Sequence, residues 1–571
     1  MLIAHSTSRL LPKSINQSIP KQEVILRNSN KHKLLEIVFK SLDNLISNFL
    51  DLPLHPIIDP SHVLSRYFAP VDELPPTACQ VVEGSLPSCL NGSYIRNGPN
   101  PQFIPNGPYH LYDGDGMLHL IKISQGEATF CSRYVKTYKY LVEREMGSHI
   151  FPSVFASFNG FGASMARCVV ALARGLAGQF NPLVHGLGAA NTSVAQFGGR
   201  LFALSESDLP YEIKVTSTGD IVTLGRHYFQ NIDHSLRMSA HPKVDPETGE
   251  TFTFSYNINR PFLTFFRINP DGRIQATVPI LSLEKSSMTH DFAVTENYAI
   301  FPDIQIIFSL KEIMRGRSPV IIDHNKVPRI GIISKYANDD SEMSWITVPG
   351  LNILHVANAW EEDGGDTVVM LASYAVSAEE AWENHDLTQF RMEKMVINMK
   401  SKTLERFPLS TKILEFGGVN PARAGQKTRY IYSAMLKTPE MSVGLVKLDL
   451  SINACDDCIV ASRLYGPGCI GGEPIFVPND PSNMDAEEDD GYLITYMHNE
   501  NTNESTFLVM DAKSPSLETV AVVKLPQRVP SGFHGLFVPE DKLQQNTNVR
   551  VVYIYIYTHT HTLRCDFNRL A

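Results

Sequence analysis

Thr251-Phe-Thr-Phe-Ser-Tyr256, then Phe262-Leu-Thr-Phe-Phe-Arg267, then Pro270-Asp-Gly272: two short runs of threonine and aromatic residues, followed by a turn. β-Branched and aromatic side chains suit a pleated, half-buried surface. Pro-Asp-Gly supplies a preset φ, a side-chain acceptor and a residue free to adopt positive φ. The pattern recurs at Val368-Val-Met-Leu-Ala-Ser-Tyr374, Tyr430-Ile-Tyr-Ser-Ala434, Val443-Gly-Leu-Val-Lys-Leu448, Tyr492-Leu-Ile-Thr-Tyr496 and Thr506-Phe-Leu-Val-Met510. Many short strands between polar turns predict an all-β sandwich, barrel or propeller. No clean internal repeat period is visible, so spacing alone leaves those three architectures open.

Composition narrows the class. The 571 residues are 43% hydrophobic and 19% charged, enough to bury a sizeable core. A formal net charge of −10 argues against a nucleic-acid binder, which needs a basic face. No run of eighteen apolar residues marks a spanning helix. The 8 cysteines are scattered, and Cys455-Asp-Asp-Cys458 has no second pair. A zinc ribbon or disulfide framework needs more regular partners, so reduced thiols are expected.

Three segments depart from the β pattern, and the C-terminus is unusual in another way. Residues 1–40 carry seven Lys or Arg, two acids and five serines, the composition of an organelle transit peptide. Between residues 33 and 50, Leu34, Leu35, Ile37, Val38, Leu42, Leu45, Ile46 and Phe49 recur at helical steps. They predict an amphipathic helix that either lies on a membrane or packs on the body. Within residues 150–190, the alanine-rich stretch from Ala163 to Gly178 favours helix. It reads either as a buried dome helix or as a membrane-dipping patch. The atypical C-terminal segment 541–571 includes Asn548-Val-Arg-Val-Val-Tyr-Ile-Tyr-Ile-Tyr-Thr558, nearly uncharged and strongly β-prone. The acidic run Asp485-Ala-Glu-Glu-Asp-Asp490 lacks the spacing of a calcium loop and reads as a solvated turn.

Histidines carry the chemistry. His241 in Met238-Ser-Ala-His241-Pro-Lys-Val-Asp245, His290 in Met288-Thr-His290-Asp-Phe292, His355 in Ile353-Leu-His355-Val-Ala-Asn358 and His534 in Gly532-Phe-His534-Gly535 share apolar or small neighbours. Neutral imidazole is a common ligand of divalent transition metals. Glu206, Glu415 and Glu473 sit in apolar or glycine-rich settings where a solvated glutamate is less expected. A ligating histidine commonly donates its second N–H to such a carboxylate. The intervals are too long for a local metal motif, and any one histidine is more often a core or surface residue than a ligand. Residue chemistry alone leaves the set open.

Longer stretches are more specific. Asn91-Gly-Ser-Tyr-Ile-Arg-Asn-Gly-Pro-Asn-Pro101, Tyr109-His-Leu-Tyr-Asp-Gly-Asp-Gly-Met117, Ser132-Arg-Tyr-Val-Lys-Thr137, Ser205-Glu-Ser-Asp-Leu-Pro-Tyr211, Gly425-Gln-Lys-Thr-Arg-Tyr430 and Pro530-Ser-Gly-Phe-His-Gly535 lie in order with the histidine segments. Together they resemble the plant carotenoid cleavage dioxygenases, in particular the plastid type-four members, from about Asp59 to Val538. The resemblance implies a seven-bladed β-propeller over residues 59–540, with ligands converging on its axis beneath an α-helical dome formed at about 150–190. It implies that His241, His290, His355 and His534 bind one Fe(II). It also implies that Glu206 bonds His290, Glu415 bonds His355 and Glu473 bonds His534, with no carboxylate on His241.

The implied activity is O2-dependent cleavage of a forty-carbon carotenoid such as β-carotene at 9,10 and/or 9′,10′, releasing an ionone-type ketone and an apocarotenal. Tyr112, Leu354, Phe416 and Phe533 are candidate tunnel-wall residues. The implied location is the plastid (chloroplast), with peripheral contact to its membrane or to plastoglobule lipid. The alternatives are 11,12 cleavage of a 9-cis-epoxycarotenoid and a non-catalytic carotenoid-binding propeller. A propeller hydrolase fits less well, because its ion would take carboxylate or carbonyl ligands.

Overall fold

A computed structural model describes residues 30–545 apart from 207, 230–235, 384–387, 439–440, 453–456 and 484. The basic segment before residue 30, Cys455 and the β-prone C-terminal run lie outside the described residues.

The opening stretch forms the strand Thr251–Tyr256, buried throughout, paired antiparallel with Leu263–Ile268. Thr251 faces Ile268 and Tyr256 faces Leu263, so the register runs without a slip. Gly272 takes φ +79° in the turn, its N–H donating to the Asn269 carbonyl. The strand Ile274–Ile280 then joins on the other side of Leu263–Ile268. Phe252, Phe254, Phe265, Phe292 and Phe301 fill the space between this sheet and the next. The aromatic enrichment read in sequence is therefore inter-sheet packing.

The remaining strands repeat the plan. Ser193–Phe197 to Ile221–Arg226, Ala293–Val294 to Ser344–Thr347, and Asn352–Glu362 to Thr403–Pro408 each make a four-stranded sheet. Two further groups, starting at Leu414–Gly418 and Ile475–Pro478, are joined through the short strand Cys469–Gly471. The last sheet brings the ends of the fold together, since Gly535–Pro539 pairs with Gly92–Pro99, Arg96 facing Gly535. The fold is mostly β, and this arrangement is consistent with a propeller.

Helices cluster outside the sheets. Tyr138–Met146 buries Tyr138, Val142 and Met146 against Ile150, Phe151 and Phe180. The alanine-rich stretch forms Phe161–Leu176, and Asn30–Phe49 packs on it through Phe39 and Ile46 against Ala163 and Val170. Arg174 is buried and pairs with Asp43, while Arg167 pairs with Asp51. The usual polarity is thus inverted. Phe161, Val169, Leu172 and Leu176, 61–82% exposed, point outward. Leu35, Val38, Leu42, Leu45 and Phe49, at alternating three- and four-residue steps, form a second exposed stripe. Among the described residues, no helix is long and apolar enough to cross a membrane.

Candidate metal centre

The four distant histidines meet at one point. His241 and His290 precede the short strands Lys243–Val244 and Ala293–Val294, and His534 precedes Gly535–Pro539. His355 lies inside Asn352–Glu362, whose register with Thr367–Ala375 slips at 353/355 and again at 356/358. A bulge re-aims a side chain without ending the strand. These two slips flank His355 and leave it opposite Ser373.

One donor atom from each of the four residues lies within 4.8 Å of every other. His241 Nε2 is 3.0 Å from His290 Nε2, which is 3.1 Å from His355 Nε2. The rings stand steeply to one another, with interplanar angles of 67–85°. The His290, His355 and His534 side chains keep 16%, 11% and 12% of their surface accessible.

The three glutamates fix which nitrogen carries the proton. Glu206 contacts His290 Nδ1 at close range and accepts the Tyr256 hydroxyl at 3.1 Å. Glu415 Oε1 is 2.8 Å from His355 Nδ1 and also accepts the Ser373 hydroxyl, while its Oε2 accepts the Phe416 N–H. Glu473 Oε1 is 3.0 Å from His534 Nδ1, and its Oε2 accepts the Gly535 N–H at 2.8 Å. An ionised carboxylate only accepts, so these Nδ1 atoms are the donors and the Nε2 atoms bear lone pairs. At His241 the backbone N–H donates to the Ser239 side-chain Oγ at 3.0 Å.

Lone pairs converging at such distances repel unless a cation lies between them. Imidazole nitrogens sit about 2.1 Å from a divalent first-row ion, so ligands at right angles fall about 3.0 Å apart. The 3.0 and 3.1 Å separations match that spacing. All-imidazole donors suit a first-row transition metal and are a poor set for calcium or magnesium. The residues fit an iron-type centre.

Proton affinities at His241 and His355 favour the neutral ring. Burial, reinforced by the other three imidazoles, pushes the His241 pKa well below the ordinary histidine value. Burial lowers that of His355 against the opposing pull of Glu415. For His290, burial is the largest single influence and lowers the pKa, but the charge and hydrogen bond of Glu206, with the charges of Asp291 and Glu415, together raise it. Burial disfavours charge on Glu415, but His355, Ser373 and the Phe416 N–H together hold its pKa below the usual carboxylate range.

The tunnel-wall candidates lie around this point. Phe416 packs 5.7 Å from the His355 ring and 5.5 Å from that of His534. It takes φ +54°, a costly conformation for a bulky residue, at a register slip after Glu415. Leu354 and Phe416 join one apolar cluster with Ala375, Phe390, Ala434 and Leu436. Phe533 meets Tyr112 at 5.7 Å, Tyr112 meets Phe155 at 5.8 Å, and Phe155 meets Trp382 at 5.7 Å. A line of rings therefore leads away from His534. Phe155, Trp382, Ser373 and Tyr256 were not legible as site residues, because only cross-strand register and loop packing bring them here.

The RPE65 sequence model, described as retinal pigment epithelial membrane protein, matches residues 67–539. The chain belongs to this family, that of the carotenoid cleavage dioxygenases, which are non-haem iron enzymes. It is 54% identical over 516 residues to the probable carotenoid cleavage dioxygenase 4, chloroplastic, of Arabidopsis thaliana, covering 90% of this chain and 86% of that one. It is 50% identical to the chloroplastic 9-cis-epoxycarotenoid dioxygenase NCED1 of Oryza sativa subsp. japonica, covering 88% and 80%. The crystal structure of cobalt-substituted Synechocystis ACO superposes with a TM-score of 0.68 at 25% identity, over 84% of this chain and 99% of that one.

Proposed function

We propose that this protein is a plastid Fe(II) dioxygenase that cleaves a forty-carbon carotenoid at the 9,10 and/or 9′,10′ double bond. The carrying observation is the convergence of four imidazole Nε2 lone pairs, three of them oriented by a glutamate on Nδ1. His241, His290, His355 and His534 hold the iron in this reading. Glu206, Glu415 and Glu473 fix the ring angles of the last three and offset the ion's charge without occupying coordination positions. Fe(II) held by these neutral imidazoles would supply O2 activation. Both oxygen atoms end in the two carbonyl fragments.

The chain's own contribution is binding and orientation. Phe416 and Phe533 flank the imidazoles, and the Tyr112, Phe155 and Trp382 rings extend an apolar wall suited to a rigid polyene. Such a wall selects the bond to be cut by setting how far the polyene slides past the metal. The sheets read as seven blades of four or five strands, the last closed by Gly535–Pro539 onto Gly92–Pro99. Residues 59–540 then form one propeller unit, with residues 150–190 part of its helical dome. The outward-facing leucines of Phe161–Leu176 and Asn30–Phe49 are a surface for a plastid membrane or a plastoglobule, where the substrate dissolves. Of the expected transit segment 1–40, residues 30–40 belong to the packed helix Asn30–Phe49, so the transit reading is kept for the part before residue 30. Of 541–571, residues 541–545 complete the helix Glu540–Gln545, whose Leu543 is buried in the core.

Identity is 54% to the type-four relative and 50% to the epoxycarotenoid relative, and the reading of 9,10 cleavage rests on the type-four resemblance. The test is product analysis by mass spectrometry. Purified protein with Fe(II) and O2 receives β-carotene or 9-cis-violaxanthin in micelles, beside His290→Ala. The expected result is iron-dependent β-ionone and an apocarotenal from β-carotene, absent with the variant. A fifteen-carbon aldehyde from the epoxycarotenoid alone would move the function to 11,12 cleavage. Bound iron with no product would leave a carotenoid-binding propeller.

A further inference from the structure

The metal reading leaves unused a residue that touches three of the four histidine segments. Asp291, directly after His290, is 2% exposed. Its Oδ1 lies 2.7 Å from Nζ of Lys243, two residues beyond His241. Its Oδ2 accepts the N–H of Val356, one residue beyond His355, at 2.8 Å. Oδ1 also accepts the Phe292 N–H at 2.8 Å, which fixes the carboxylate on its own turn.

We infer that Asp291 is a positioning residue for the metal centre: one carboxylate that locks the His241, His290 and His355 segments into the spacing one ion requires. The inference rests on the proposed four-histidine site. Converging lone pairs push the ligand segments apart before an ion arrives, so the cage needs a restraint that does not depend on the ion. Backbone pairing supplies little of it at two of the three positions. The strands beside His241 and His290 are only two residues long. His355 sits between two register slips. Asp291 bridges these weakly paired places. An ion pair with one buried partner adds little net stability once desolvation is counted, but it fixes geometry.

A merely structural salt bridge would affect stability without affecting metal affinity, and that difference is measurable. Metal-free full-length protein is titrated anaerobically with Fe(II) against a chromophoric chelator, and with Co(II) while its visible spectrum is recorded. Asp291→Asn keeps the shape and an acceptor for the Val356 N–H but replaces the Oδ1 that holds Lys243 and the Phe292 N–H with an uncharged donor. The expected result is a Fe(II) affinity lower by about tenfold, the lower range for residues that orient ligands. The Co(II) spectrum should change, and the metal-free melting temperature should stay close to wild type. Lys243→Arg should retain affinity and Lys243→Met should lose it. The double variant Asp291→Asn/Lys243→Met should be no weaker than the worse single, as for two ends of one contact. Wild-type affinity and Co(II) spectrum in Asp291→Asn, or additive losses in the double, would overturn the inference. Wild-type protein that binds Fe(II) no better than His290→Ala would instead overturn the metal centre itself.

Discussion

At Glu473 one carboxylate serves two partners, accepting from His534 Nδ1 at 3.0 Å and from the Gly535 N–H at 2.8 Å. It therefore sets both the ring angle of the imidazole and the start of the closing strand. Glutamine has the same shape and can accept only one of those N–H groups, its amide presenting donors to the other. Glu473→Gln should lower Fe(II) affinity or turnover roughly 10–100-fold, read by chelator competition and product formation. An enzyme unchanged in both would reduce Glu473 to a packing role. Glu415 is more deeply embedded, since Ser373 and the Phe416 N–H share the carboxylate with His355. Its charge is held by three donors, so loss of any one is better tolerated there than at Glu473.

Among the elements, the outer helices carry the clearest testable feature. Leu172 and Leu176 are 65% and 82% exposed on a helix whose arginines turn inward to aspartates. Removing an apolar side chain of this size from water is worth about 1.5–3 kcal/mol. Leu172→Glu with Leu176→Glu should therefore weaken binding to neutral lipid vesicles more than about tenfold. Activity on substrate in detergent micelles should change little. Equal flotation of variant and wild type with vesicles would sink the membrane role of this face. Neither side chain contributes to the buried seam with Asn30–Phe49, which uses Ala163 and Val170, so the helix pair should remain docked.

Over the whole molecule, the pairing of Gly535–Pro539 with Gly92–Pro99 ties residues more than four hundred apart and places His534 at the seam. Val538, fully buried, packs with Ile95, Leu118 and Leu120 of its own sheet and with Val194 and Leu201 of the next. Val538→Ala should cost about 2 kcal/mol from lost burial and an unfilled cavity. The urea midpoint should fall accordingly. A midpoint unchanged by this substitution would mean that closure contributes nothing to stability. Other cross-sheet ties act alongside: Glu361 accepts the Asn297 N–H at 2.7 Å, and Asn358 donates to the Gln426 carbonyl at 2.9 Å.

Local physics made much of this legible. The aromatic and β-branched content of Thr251–Tyr256 determined a strand, Pro270-Asp-Gly272 a turn, and the apolar steps after residue 33 a helix, because each depends on neighbours within a few residues. Ordered motifs spanning most of the chain pointed to the family, and that resemblance implied the seven candidate site residues. Tertiary structure decided the rest. That Ser373 and Tyr256 hold two of the glutamates depends on strand register and sheet packing across tens of residues. That Phe416 turns toward the histidines depends on a register slip. That Leu172 faces water while Arg174 is buried depends on which helix packs against it, a choice invisible in an alanine-rich run. Local sequence fixes which conformations are cheap, whereas side chains from distant segments meet only through the packing of whole sheets.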